Sequence, residues 1–219
     1  KYVYVTLHRS FEPGLIVKYS GVERAASRDE VRHPIVREAL KLAGIEETGL
    51  EIASMADIPA GTGLGSSGSF ATALLAALHA FRGGDVGPAR LAEQACEIEM
   101  VRLAEPVGRQ DPYIATHGGV TAFEFAPDDR VTVSPLPLSP ASLARLEEGL
   151  ALFFTGFSRA ASTVLKEQDD RSRTGDLEML DNLRVVKEIG QRSRAALETG
   201  DLAGFGRLMH EHWDWKKKR

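Results

Sequence analysis

Pro59-Ala-Gly-Thr-Gly-Leu-Gly-Ser-Ser-Gly-Ser69 is the stretch on which the reading of the fold turns. Before it, residues 50–58 read as a strand. After it, residues 67–81 carry Phe70, Leu74, Leu75 and Leu78 at helical spacing until Gly83 and Gly84 stop them. A strand that feeds a glycine-rich turn and opens a helix aims backbone N–H groups and the positive end of a helix dipole at one point. Gly61, Gly63 and Gly65 let an oxygen-rich ligand reach the backbone without meeting Cβ atoms, and Ser66 and Ser67 add hydroxyls at the helix start. This is an anion site. A turn serving packing alone would not need these glycine and serine positions in fixed spacing.

Three phosphate-binding patterns compete for the segment. A Walker A loop needs lysine directly after its last glycine, but Gly65 is followed by Ser66 and Ser67, which excludes it. Gly63-x-Gly65-x-x-Gly68 matches the dinucleotide fingerprint, which also needs a second strand ending in an acid about 20 residues on. Asp85 has roughly that offset but sits in a turn between two helical patterns, so the fingerprint fails on context. The third pattern is the phosphate loop of the GHMP kinases, which Pro59, Gly61, Gly63, Leu64, Gly65, Ser66 and Ser67 resemble, with Gly68 where alanine is usual.

A second segment, Gly108-Arg-Gln-Asp-Pro-Tyr113, resembles the one that carries the catalytic aspartate in galactokinase-like and mevalonate-kinase-like members, with Pro112 in place of the usual glutamine. The resemblance implies that Asp111 is the base, or the carboxylate that orients the accepting hydroxyl, with Arg109 beside it to lower its pKa and keep it ionised. Asp111 before Pro112 is also an ordinary helix-start sequence, and the two roles are compatible. Glu99 stands where the family places a magnesium-binding glutamate. Helical spacing sets it beside Ala92 and Ala95, bordering an apolar stripe of Leu91, Ala95, Ile98 and Val101. Mg²⁺ takes one or two protein carboxylates plus phosphate oxygens, so Glu99 with the Ser67 hydroxyl would suffice. ATP and Mg²⁺ are the cofactors this implies.

Around these motifs the organisation reads as α+β. A strand over residues 1–8, a helix over 34–42 with proline in its first turn, and a helix from Pro88 flank the glycine loop. Paired strands at 120–125 and 131–133 and a further strand at 150–155 follow. Helices at about 159–172, 176–198 and 201–216 complete the chain. Strands mixed with helices, then helices alone, argue against a regular βαβ array. The composition shift puts a domain boundary near residue 157, and the resemblance implies a GHMP kinase N-terminal, ATP-binding domain of the ribosomal-S5-like type over residues 1–157 and the beginning of a mostly helical C-terminal domain over 158–219. The strand pattern that starts at once with Lys1, and the helical pattern still running at Trp213 to Arg219, lead us to expect a fragment, with a family strand upstream and a glycine-rich motif downstream.

Bulk properties narrow the function. The chain has 219 residues and a net charge of −4, with 43% hydrophobic and 26% charged residues, the balance of an ordinary soluble protein. That charge gives no global reason to bind nucleic acid or an anionic membrane, and no apolar run approaches the roughly 20 residues of a membrane span. Cys96 is the only cysteine, so no intramolecular disulfide forms and a cytoplasmic location is the default.

Within the superfamily, the chain resembles the heptose 7-phosphate kinases and related sugar kinases. The resemblance extends through His33-Pro-Ile-Val-Arg-Glu-Ala-Leu40, Gly118-Gly-Val-Thr-Ala-Phe-Glu-Phe125, Phe154-Thr-Gly156 and His210-Glu-His-Trp213. It implies transfer of the ATP γ-phosphate to the anomeric hydroxyl of a small-molecule sugar phosphate. A galactokinase- or fucokinase-like substrate, or a nucleotide- or sugar-binding regulator on the same fold, are the alternatives. A substrate that already carries a phosphate needs a cationic clamp, for which Arg9, Lys18, Arg24, Arg109 and Arg159 are candidates.

Overall fold

Leu50 to Ala56 (β4) is the strand on which the first part of the molecule is built. It pairs antiparallel with β1 (Val3–Arg9), from Val3 opposite Ala56 to Arg9 opposite Leu50. On its other side it runs parallel to β2 (Leu15–Lys18), which pairs antiparallel with β3 (Val22–Ala25). The sheet order is therefore β1-β4-β2-β3. This computed structural model describes residues 2–154, 156 and 161–218.

Four helices accompany the sheet: α1 (Pro34–Leu42), α2 (Ser66–Phe81), α3 (Pro88–Cys96) and α4 (Gln110–His117). Leu15, Val17, Leu50 and Ile52 from the sheet share one core with Val36, Leu40, Leu74, Leu75, Leu78 and Ile98. Each of those large side chains contributes roughly 1.5–3 kcal/mol by leaving water. Apolar side chains surround α2 on most sides because it packs against β1, α1, α3 and α4 at once. A helix gripped on several sides holds its N-terminus still, and that N-terminus is where the glycine loop ends.

The remaining described elements are the hairpin β5 (Thr121–Phe125) and β6 (Val131–Pro135), α5 (Pro140–Gly149), α6 (Ala161–Arg173), α7 (Leu177–Thr199) and α8 (Leu202–Lys216). Asp129 turns the hairpin with φ of 66°. Ser139, Asp176 and Asp201 cap α5, α7 and α8 by accepting from Ser142, Met179 and Gly204 N–H groups.

Contacts divide the chain into two units. One contains Lys1–Gly118, and the other contains Gly119–Gly156 and Thr163–Arg219. The hairpin and α5 thus belong with the later helices, whereas composition alone puts a change near residue 157. The strand expected over 150–155 does not form across residues 150–154, where Leu150, Leu152, Phe153 and Phe154 are exposed and pair with no described strand. Thr155 lies outside the described residues. None of the described helices is long and apolar enough to cross a membrane.

Candidate functional site

Three glycines bend the loop that joins β4 to α2. Gly61, Gly63 and Gly65 have φ of 76°, 76° and 69°, the left-handed region that costs any residue with a Cβ about 1–2 kcal/mol. Thr62 tightens the turn by donating its hydroxyl to the Pro59 carbonyl at 3.0 Å. Pro59, Gly61, Gly63 and Leu64 are exposed along it. Gly65 is the residue before α2, and the first bond of that helix runs from Ser69 N–H to Gly65 C=O at 3.0 Å. The N–H groups of Ser66, Ser67 and Gly68 are therefore not used by the helix ladder, no side chain caps them, and the first turn holds no acid. An oxyanion placed there would meet backbone donors and the helix dipole together.

Glu99 comes to the same turn by an irregular route. After α3 the chain makes a π-helical segment, Glu97–Arg102, in place of further α-helix. The wider turn ends the 3.6-residue stripe: Leu91, Ala95 and Ile98 pack inward as expected, but Val101 is 73% exposed. Glu99 is carried inward and is only 4% exposed. Burial first, and then the charges of Asp111 and Glu105, raise the Glu99 carboxyl above the ordinary glutamate range, while the nearby Ser67 hydroxyl acts the other way. The segment closes at Ala104, whose φ of 51° is a second backbone irregularity within a few residues of Glu99.

Asp111 sits in the first turn of α4 and leans on the start of α2. A Cβ built on Gly65 would lie 3.0 Å from Asp111 Cγ and 3.2 Å from its Oδ2. The carboxylate thus reaches the mouth of the uncapped helix. Its outer side is open to solvent, yet the protein against it desolvates the group enough to raise its pKa. That corrects the expectation for Arg109. Adjacency in sequence suggested that Arg109 holds Asp111 low; instead its positive charge acts on Cys96 and Tyr113.

Ser67, Glu99 and Asp111 are thereby brought together at one end of α2. Arg9 is not: it pairs with Leu50 at the other end of the seven-residue β4 and lies 5.0 Å over the ring of Phe81, the last residue of α2. Lys18 and Arg24 are engaged by Glu51 and Glu12. Arg159 lies outside the described residues. Sequence reasoning missed the π turn and Ala104, which no composition rule signals. It also missed that Gly68 and Pro112 touch, although both had stood out as departures from the family pattern.

A buried carboxylate with a hydroxyl beside it and a second acid near it is a set of hard oxygen donors, and a divalent cation would relieve the repulsion between the two acids. Glu99 and Ser67 therefore fit Mg²⁺, which needs few protein ligands when phosphate oxygens supply the rest.

Residues 31–119 match the GHMP kinases N terminal domain. A D-glycero-alpha-D-manno-heptose 7-phosphate kinase from Campylobacter jejuni is 30% identical over 161 residues, which are 74% of this chain and 47% of that protein. A bifunctional fucokinase/GDP-fucose pyrophosphorylase from Arabidopsis thaliana is 30% identical across 84% of this chain and 18% of its own length. The chain thus spans about half, or less, of these two curated relatives. Among solved structures, a D-glycero-D-manno-heptose 1-phosphate kinase from Bacteroides thetaiotaomicron superposes with a TM-score of 0.78 at 24% identity, covering 99% of this chain and 68% of that one.

Proposed function

The chain carries the N-terminal domain of the GHMP kinases, and from that premise we propose that it transfers the γ-phosphoryl group of ATP to a sugar hydroxyl. The observation that carries this reading is the convergence at the first turn of α2: uncapped backbone donors, the Glu99–Ser67 pair, and Asp111 against Gly65. In the proposed reaction the sugar oxygen attacks the γ-phosphorus, the bond to the β–γ bridging oxygen breaks, ADP leaves, and Asp111 takes the hydroxyl proton. A carboxylate raised by partial desolvation is a stronger base than a fully solvated aspartate, which suits that task. Mg²⁺ on Glu99 and Ser67 would neutralise charge on the phosphate oxygens.

For the acceptor we favour a heptose 7-phosphate, phosphorylated at its anomeric hydroxyl, on the similarity to the Campylobacter heptose 7-phosphate kinase. For the existing phosphate we propose Arg109, near Asp111 in the chain, and Arg159. A second reading is a free hexose such as L-fucose, favoured by similarity to a fucokinase-containing protein over more of this chain. The test is ADP release by the purified protein with ATP, Mg²⁺ and a panel of heptose 7-phosphate, free heptose, L-fucose and D-galactose. Turnover with heptose 7-phosphate alone supports the first reading, and turnover with fucose replaces it by the second. Nucleotide binding that depends on Mg²⁺, with no product from any sugar, would make the chain a binding regulator instead. Asp111→Asn is expected to lower kcat by about 10²–10⁴; a wild-type rate in that variant refutes the role given to Asp111.

A further inference from the structure

Gly68 is the third residue of α2, it is buried, and it is not among the glycines with a left-handed backbone. A helical glycine without that requirement destabilises its helix relative to alanine, so its absence of a Cβ needs another reason. Space supplies one. A Cβ built on Gly68 would lie 3.0 Å from Pro112 Cδ, 3.0 Å from Pro112 N and 3.1 Å from Asp111 Cβ. These distances are tighter than nine in ten real Cβ contacts, so a neighbour must give by a few tenths of an ångström, and two of the three atoms belong to a rigid ring or a backbone. One turn earlier, the Asp111 carboxyl group presses on Gly65 in the same way.

We propose that Gly68 and Pro112 are a matched pair that sets how deeply Asp111 seats against the phosphate loop. Gly68 removes the Cβ that would hold α4 off. Pro112, tolerated in the first turn of α4, fills the vacated space with its ring and fixes the backbone on the C-terminal side of Asp111. Contacts at Gly68 thus anchor the aspartate at its Cβ and its following residue, and Gly65 receives its carboxyl group. The same seating places Asp111 where its negative charge acts on Glu99. Gly68 and Pro112 are positioning residues, since neither reaches the reacting atoms by a functional group. This inference rests on the kinase reading for its catalytic consequence, but the steric coupling itself does not.

The experiment compares Gly68→Ala, Pro112→Ala and the double variant in the full chain, by melting temperature without ligand and by kcat and KM with the accepted sugar. Helix propensity alone makes Gly68→Ala stabilising. The matched pair makes it destabilising, by about 3 °C or more in Tm, with kcat lowered at least tenfold and KM for ATP little changed. In the Pro112→Ala background the Cδ contact is gone and the first turn of α4 can retreat, so the Gly68→Ala penalty should shrink severalfold in both readouts. A Gly68→Ala variant that is more stable than wild type, or whose losses add to those of Pro112→Ala without coupling, overturns the pair. Coupling in Tm with kcat unchanged by Gly68→Ala overturns the positioning role. A parent protein with no sugar turnover defeats the kinase reading instead, and the Tm cycle still decides the steric pairing.

Discussion

Replacing Gly65 and Gly63 by alanine, one at a time, separates the backbone requirement of the loop from its contact with Asp111. Both glycines are left-handed, at φ of 69° and 76°, so each substitution carries about 1–2 kcal/mol of conformational cost. A Cβ on Gly63 meets nothing within 4 Å, whereas one on Gly65 lies 3.0 Å from Asp111 Cγ and 3.2 Å from Asp111 Cβ. The carboxyl group can swing aside, but Asp111 Cβ is held by the first turn of α4, where Pro112 abuts Gly68. Overpacking of that kind adds about 1–3 kcal/mol. With a urea slope of about 1–3 kcal/mol/M, the Gly65→Ala midpoint should fall below that of Gly63→Ala by roughly 0.3–3 M. The measurement is made without nucleotide, so that a phosphate in the cradle does not enter the comparison. It follows unfolding by far-UV circular dichroism, because Trp213 and Trp215 both lie in the other unit. Coincident midpoints for the two variants would show that Asp111 does not press on Gly65.

Glu99→Gln should change the pH dependence of stability in the ligand-free protein. Because the folded pKa of Glu99 is raised above its ordinary value of 4.5, the wild-type stability that depends on this group is complete below that pH. It is lost as pH rises through the folded value. The glutamine variant lacks that loss, so urea midpoints measured across pH 4–8 should converge at the acid end and favour the variant at neutral pH. Ala104→Gly relieves a φ of 51° and, after glycine's larger unfolded-state entropy is set against the left-handed penalty, should stabilise by about 0.5–1 kcal/mol in the same assay. Cys96 is 8% exposed and burial pushes its thiol up to about 11. At pH 8 iodoacetamide should therefore label it slowly in the native protein and rapidly in urea, as read by mass spectrometry.

The limits of sequence reading at this site follow from the range of each signal. The loop and α2 were legible because left-handed glycines, helix-start serines and a 3.6-residue stripe are local properties of one segment. Strands β2 and β3 were not, because four residues apiece leave too little alternation to distinguish from a loop, and their pairing with β4 is decided at a distance. The residues 150–154 err the other way: an apolar run has the composition of a strand, but a strand needs a partner. Glu99 was found through family position, while its burial was underestimated, since a π turn shifts the face that a side chain presents and leaves no compositional mark. Arg109 shows that two positions along a chain do not fix where a charge acts. The most instructive case is Gly68 with Pro112. Judged singly, each weakens the match to the family pattern, and a count of matched positions lowers the resemblance twice. In space each departure removes the objection to the other, because the ring occupies the volume a methyl group would have filled. Positions that fail a motif should therefore be tested for contact with one another before they are counted against it.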